Sequence, residues 1–211
     1  KMPPEYFEIV MKKFEEDPYL GSFSGKIYTL HEGSLFNERL GDENAVGAAK
    51  FFRTTCFQAI GGFVRQSGWD GVDGHMCRLN GWITYSEDDP NIRIIHLRLM
   101  GSTQKSHWIG KLRWGMAKYF MGSAPYYVFA VALFRMTQKP YIIGGAGIFF
   151  GYMQALFRRQ ARMEDKEYLR NFRRYELQSL FFGKRRTMIR HHNSIRERFL
   201  PPKERESVSP Q

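Results

Sequence analysis

The stretch SGWDGVDGHMCRLNGW, residues 67–82, has the pattern of a helix with two acidic residues near its start. Apolar side chains recur at the spacing of one helical face, namely Val72, Met76 and Leu79. Gly81 follows as a stop signal. A helix start needs one acidic cap, whereas this stretch offers both Asp70 and Asp73. The pattern therefore predicts a helix whose first turns hold a cap or a catalytic carboxylate.

The segments around this helix predict an α/β region over residues 1–114. Helical spacing precedes Asp17-Pro18, which ends a first helix containing Tyr6, Phe7, Val10, Met11 and Phe14. Residues 43–63 predict a turn and a helix closed by Gly61-Gly62. GSFSGKIYTL (21–30) alternates as one short strand does. WITYS (82–86) and IRIIHLRL (92–99), which are rich in Ile and Thr, also predict strands.

The composition limits the classes of partner and of site. The 211 residues carry a net charge of +11, which favours an anionic partner such as nucleic acid, a lipid headgroup surface or a phosphorylated substrate. Cys56 and Cys77 lack a CxxC spacing, which argues against a disulfide scaffold and a zinc ribbon. A hydrophobic content of 43% is enough for a folded core.

Residues 115–157 form a second region with two apolar runs. YFMGSAPYYVFAVALF (119–134) has 16 residues and YIIGGAGIFFGYMQALF (141–157) has 17, and each run predicts one helix. Both are just short of the roughly 20 residues that a spanning helix needs. Interfacial or re-entrant membrane helices are favoured, and buried core helices and a spanning hairpin are the alternatives.

Residues 158–200 are basic and follow the second apolar run directly. Residues 158–206 hold 15 lysines and arginines against seven acidic residues, so eight of the 11 net positive charges lie there. Within residues 167–182, apolar side chains alternate with arginines, which favours an amphipathic helix on an anionic membrane surface. A basic helix packed on the domain is the alternative. Residues 201–211 are expected to be disordered.

Several of these segments, in this order, resemble the family 2 glycosyltransferases. GAAKFFRTTCFQAIGGF (47–63) is similar to a family segment in which a small-residue turn and an arginine, here Arg53, precede a helix ending in Gly-Gly-Phe. The spacing from Asp70 to Trp82 matches the family's spacing from its catalytic base to a closing aromatic residue. Trp69 stands where the family has a glutamate.

A third segment strengthens the resemblance. GKLRWG (110–115) is similar to the Gln-x-x-Arg-Trp motif of the processive polysaccharide synthases, with Gly110 in place of the glutamine. The two departures, at Trp69 and Gly110, favour an enzyme that adds single sugars over a processive one.

The resemblance implies an inverting enzyme with a GT-A, Rossmann-like fold. Residues 1–114 would be the C-terminal, acceptor-side part of that domain, followed by membrane-associated helices. The enzyme would transfer a sugar from a nucleotide-sugar donor to a lipid-linked or polysaccharide acceptor at the cytoplasmic face of the inner membrane. A homo-oligomer is left open.

The opening residues 3–28 resemble the segment that follows the family's Asp-x-Asp metal motif. No Asp-x-Asp occurs in this sequence. The donor-binding half, and with it the ligands for Mg²⁺ or Mn²⁺, is therefore expected upstream of Lys1.

The resemblance also places Asp70, one of the two acids at the helix start, on the family's catalytic base. Asp70 is expected to be the general base and Asp73 a supporting carboxylate. Asp73 as the base instead, and capping by both acids, are the alternatives. Trp69 would offer a flat face to a sugar ring, or else would be a core aromatic residue. A self-contained metal site of Asp70, Asp73 and His75 is disfavoured, because its spacing matches no established motif.

Four further residues are candidates for binding substrate. Arg53 would bind substrate, Arg113 would meet the leaving diphosphate with its planar guanidinium, and Trp114 would pack against the acceptor. His96 stands where the family often has a histidine near the metal and diphosphate. A surface arginine, a buried tryptophan and a structural histidine are the corresponding alternatives.

Two other functions compete with the enzyme. A non-catalytic, membrane-bound interaction module of a glycan-assembly system is one of them. A nucleic-acid binder is disfavoured, because the basic residues lie beside apolar runs and no nucleic-acid module is recognisable.

Overall fold

The computed structural model describes residues 1–31, 33–37, 41–66, 68–97, 107–138 and 141–199. Its helices are α1 (Tyr6–Glu16), α2 (Thr54–Ala59), α3 (Trp69–Leu79), α4 (His107–Phe120), α5 (Pro125–Met136), α6 (Ile143–Phe157), α7 (Lys166–Phe182) and α8 (Lys184–Phe199). Its strands are β1 (Leu20–Gly25), β2 (Ile27–His31), β3 (Ser34–Asn37), β4 (Phe51–Phe52), β5 (Ile83–Glu87) and β6 (Ile94–His96). The chain is α/β, as predicted, with small mixed sheets.

The strands of the described residues form two three-stranded sheets, and the strands of one sheet are interleaved along the chain with those of the other. In the first, β1 is central, antiparallel to β4 and parallel to β5. In the second, β2 is central, antiparallel to β3 and parallel to β6. All six residues of β1 are buried, as is usual for a strand covered on both faces. The predicted strand over 82–86 is confirmed as β5, and β6 lies within the predicted strand over 92–99, of which residues 98–99 lie outside the described part. The prediction of one strand over 21–30 was wrong, because the chain divides there into β1 and β2, which belong to different sheets.

The predicted helices of the α/β region are also confirmed. Helix α1 ends at Glu16, before Asp17-Pro18, and buries every fourth residue on one face: Tyr6, Val10 and Phe14. Helix α2 is closed by Gly61 and Gly62, whose φ angles of 72° and 78° suit glycine. Helix α3 packs its apolar face, with Val72 fully buried, against α4 and α7.

The first apolar run, residues 119–134, does not form one helix, so that prediction was wrong. Gly122 has a φ of 82°, which ends α4, and Pro125 occupies the first turn of α5. The second run does form one helix, α6. Residue 114, where the sequence suggested a boundary, lies inside α4. Across the part of the chain that the structure describes, no helix has the length and apolar character to cross a bilayer.

Helices α4 and α6 pack at very short range through glycines. A β-carbon added at Gly115 would overlap the carbonyl oxygen of Ile148, and one added at Gly151 would overlap that of Leu112. Only glycine permits this approach, since the obstacles are backbone atoms that cannot rotate away.

Replacing Gly115 with alanine should therefore destabilise the protein by about 1–3 kcal/mol or more, as overpacking does. Gly110 on the same helix is the control, because a β-carbon there meets nothing within 4 Å. Gly110→Ala should raise stability by up to about 1 kcal/mol through helix propensity. Urea unfolding of both variants measures the difference, and equal effects would contradict the close packing.

Helices α7 and α8, predicted as basic and amphipathic, pack against the α/β region. Helix α7 buries Tyr168, Phe172 and Tyr175 on one face. Its buried Glu176 accepts hydrogen bonds from Ser123 Oγ (2.7 Å) and the Ala124 backbone N–H (3.0 Å), which holds α7 to the start of α5. For the buried face of α7, the structure therefore shows the alternative of a basic helix packed on the domain. Residues 201–211 lie outside the described residues.

Candidate active site at the start of helix α3

The first turn of α3 lies at the edge of the first sheet where parallel strands β1 and β5 end. Only residues 80–82 connect α3 to β5, so the two run in opposite directions. The carboxyl edge of parallel strands is where α/β folds usually bind ligands. Gly68, with a φ of 89°, allows the chain to enter the helix. Gly47 leaves room for Trp69, whose ring would lie 3.2 Å from a β-carbon there.

Asp70 has an open carboxylate in this first turn. Its side chain is half-buried, and no hydrogen bond or ion pair to it occurs among the described residues. Its backbone carbonyl, in contrast, accepts a hydrogen bond from Lys50 Nζ at 3.1 Å. The backbone is thus held while the carboxylate is available to accept a proton.

Asp73 is occupied by an ion pair. Lys50 Nζ lies 2.7 Å and 2.9 Å from its two carboxylate oxygens, and both side chains are 2% exposed. Burial raises the pKa of Asp73 to about 6, opposed by the nearby Lys50 ammonium and reinforced by the Asp70 charge. The arrangement suits Asp73 to a supporting role.

Lys50 is the site residue that sequence reasoning missed. It comes from the segment between Ala49 and β4, and its ammonium also lies over the rings of Phe52 (5.7 Å) and Trp69 (5.4 Å). In the sequence, Lys50 is a single lysine between small and aromatic residues. This pattern does not indicate that it pairs with the buried Asp73.

Trp69 belongs to an aromatic cluster. Its ring lies 4.8 Å from that of Phe63, which lies 4.9 Å from Phe57 and 5.6 Å from Phe52. Trp69 is half-buried and Phe63 is 49% exposed. One side of the cluster is therefore packed, and the other is an open aromatic edge beside Asp70. The position of Trp69 is compatible both with stacking on a sugar ring and with a role as a core aromatic residue.

Of the Arg-Trp pair on α4, Arg113 lies near this site. Helix α4 contacts the start of α3, since a β-carbon on Gly68 would come within 2.8 Å of Ala117. Arg113 is exposed and lines a cavity of about 200 Å³ with Gln66, which precedes α3. Trp114 instead packs beneath the guanidinium of Arg135 on α5, 5.2 Å from its ring centroid.

Arg53 and His96 are not brought to the Asp70 carboxylate by any contact in the described residues. The Arg53 guanidinium donates to the carbonyl oxygens of Phe14 (2.5 Å), Asp17 (3.0 Å) and Leu20 (3.0 Å), which ties the end of α1 to β1. His96 lies on β6 in the second sheet, in register with Thr29.

The residues at the start of α3 do not fit a divalent metal. Among the described residues, no group of three or more His, Cys, Asp or Glu side chains is arranged to hold one. The Lys50 ammonium occupies both oxygens of Asp73, and His75 lies against Arg78 instead, at 3.1 Å. Asp70, Asp73 and His75 are therefore not arranged as a metal site.

Comparison with known proteins adds no relative. No protein-family model, curated protein or solved structure matches the chain.

Proposed function

We propose that this chain forms the acceptor side of an inverting glycosyltransferase that uses a nucleotide-sugar donor, with Asp70 as the general base. The observation that carries the proposal is the open carboxylate of Asp70 in the first turn of α3. It stands beside the Gly47 turn and an exposed aromatic edge. These features accompany the order and spacing of the segments that resemble family 2 glycosyltransferases.

The chemistry needs one base on the acceptor side. Asp70 would take the proton of an acceptor hydroxyl while that oxygen attacks the anomeric carbon of the donor. The bond from that carbon to the nucleotide diphosphate breaks, and the diphosphate leaves with the electron pair. Asp70 stands in the first turn of a helix, where the free backbone N–H groups create a positive potential. The Trp69–Phe63 edge would stack on a sugar ring, and Arg113 would meet a phosphate.

An aromatic surface, exposed at three of its four rings, supports membrane association of the same chain. The rings of Phe129, Phe149, Phe150 and Trp108 follow one another with centroids 6.1–6.2 Å apart. We call these four residues the α4–α6 aromatic surface. Exposed apolar patches of this kind mark interaction sites, and the basic residues after α6 suit an anionic membrane. The cytoplasmic membrane face and a lipid-linked or polysaccharide acceptor follow as parts of the proposal.

The double substitution Phe129→Ser and Phe150→Ser should lower binding to phosphatidylglycerol vesicles by about tenfold or more, because two large aromatic side chains would no longer insert. Vesicle co-sedimentation measures the loss. Phe7→Ser, which removes an exposed aromatic residue from α1, is the control and should leave binding unchanged. Unchanged binding by the double variant would exclude this surface as the membrane contact.

The function is tested by sugar incorporation. Membranes from cells that express the protein would be incubated with radiolabelled nucleotide sugars and Mg²⁺ or Mn²⁺, and lipid and polysaccharide fractions counted. Incorporation above membranes that lack the protein supports the proposal. Its absence with uridine-, guanosine- and thymidine-diphosphate sugars, together with no nucleotide-sugar binding, would favour the interaction module.

A further inference from the structure

A second cavity lies on the far part of α3, between α3, α7 and α8. Its volume is about 210 Å³, well above the roughly 10–15 Å³ that one water molecule needs. The wall is polar and includes His75, Arg78, Arg170, Asn171, Tyr175 and His191. It shares no lining residue with the site at Asp70.

Arg78 is a buried cation whose hydrogen bonds all go to neutral groups. Its side chain is 4% exposed and donates to the Glu43 carbonyl oxygen (2.6 Å) and to Asn44 Oδ1 (2.8 Å). Within the described residues, no carboxylate lies within ion-pair distance of its guanidinium, and its Nε has no hydrogen-bond partner. A buried guanidinium without a direct ion pair is costly, so an anion in the cavity would be stabilised.

Most of the other charged side chains on the cavity wall are also positive. Arg170 and Arg198 line it, against one carboxylate, that of Glu167. The Glu43 carboxylate is already paired with Lys184. Burial and the neighbouring Arg78 charge lower the pKa of His191 to about 4, so its ring is neutral at pH 7 and one ring nitrogen can donate a hydrogen bond.

We propose that the cavity between α3, α7 and α8 binds a phosphate-class oxyanion, either inorganic phosphate or a phosphomonoester group. Arg78 supplies the buried positive charge, Arg170 closes the outer side, and Asn171 and Ser194 supply neutral polar groups. The site is independent of the proposed glycosyl transfer, because none of its residues belongs to the Asp70 site.

The first test is thermal unfolding in sodium phosphate and in sodium chloride at equal ionic strength. Phosphate also stabilises proteins in general by exclusion from their surfaces, so the informative quantity is the difference between variants. Arg170→Gln should weaken phosphate binding about tenfold and shrink the phosphate-dependent rise in Tm. Arg174→Gln removes the same charge one turn along α7, outside the cavity wall, and should behave as the parent protein.

A second substitution is expected to raise the Tm in the absence of phosphate. Ser194→Glu places a carboxylate on the cavity wall, facing the cations. This variant should have a higher Tm than the parent protein in chloride and should no longer respond specifically to phosphate. A purely structural cavity predicts the reverse, because a buried carboxylate without an anion site would lower the Tm.

Vesicles separate the two sources of the anion. If phosphatidic acid vesicles reproduce the Arg170-dependent rise in Tm and phosphatidylcholine vesicles do not, the ligand is a lipid headgroup. If only inorganic phosphate does so, the ligand is soluble. The proposal is overturned if phosphate raises the Tm of the parent, Arg170→Gln and Arg174→Gln proteins equally, or if Ser194→Glu is destabilised in chloride.

Discussion

Asp70→Asn is expected to lower sugar transfer by about 10²–10⁴-fold, the usual contribution of a general base. An amide has nearly the shape of the carboxylate but cannot take the proton of the acceptor hydroxyl. Because the Asp70 carboxylate has no partner among the described residues, the same change should alter stability by no more than about 0.5 kcal/mol. The loss should therefore appear in kcat with the fold intact.

Transfer of labelled sugar by matched amounts of membrane-bound protein measures this loss. Glu15→Gln, an exposed acid-to-amide change on α1, is the matched control and should retain full transfer. Asp70→Glu keeps the carboxylate but moves it by one methylene, so partial activity is expected. Undiminished transfer in Asp70→Asn would remove Asp70 as the base and leave its role as a helix-start residue.

Lys50→Met is expected to lower the free energy of unfolding by about 3–5 kcal/mol, because it leaves Asp73 buried without its partner. Lys50 and Asp73 are both 2% exposed, so water cannot replace the lost ammonium. Replacing both residues, as Lys50→Met with Asp73→Leu, should recover most of the loss, since no buried charge then remains. Urea unfolding of the two single variants and the double variant forms the complete cycle.

The pH dependence of this loss has a defined sign. In the folded protein the pKa of Asp73 is already raised to about 6, above its ordinary value, so the folded state holds the proton more tightly than the unfolded state. Without Lys50 that pKa rises further. The deficit of Lys50→Met should accordingly be larger at pH 8 than at pH 5, where Asp73 can be neutral.

An exposed lysine provides the control for this pair. Lys12 on α1 lies 3.9 Å from Glu16, and the two side chains are 74% and 58% exposed. Lys12→Met should change stability by no more than about 0.5 kcal/mol, as is usual for an exposed ion pair. A loss of similar size for Lys12→Met and Lys50→Met would contradict a special role for burial.

Local patterns along the chain were sufficient to predict α1, α3, the strand β5 and the helix over 167–182. Each of these has an apolar periodicity with a clear stop, such as Asp17-Pro18 or Gly81, and neither feature depends on distant residues. The prediction of one helix over 119–134 was wrong because it gave more weight to the hydrophobicity of the run than to Gly122 and Pro125. These two residues divide the run between α4 and α5.

The candidate site required the fold. Asp70 and Asp73 are alike in sequence, and both stand near the start of the same helix. Lys50, 23 residues before Asp73, decides which acid is paired and which is open. Arg78 likewise donates hydrogen bonds to the backbone carbonyl oxygen of Glu43 and to Asn44 Oδ1, both distant in sequence. Helices α7 and α8 complete the wall of the cavity beside it.

The sequence by itself thus determined the α/β class, the helix that carries Asp70 and the position of that acid in its first turn. These depend on periodicity and on residues within one or two turns of each other. Only the tertiary structure decided which charges are buried, which are paired and which face a cavity. Those properties arise from side chains that are far apart in the chain, and the cost of burying a charge depends on all of its neighbours at once.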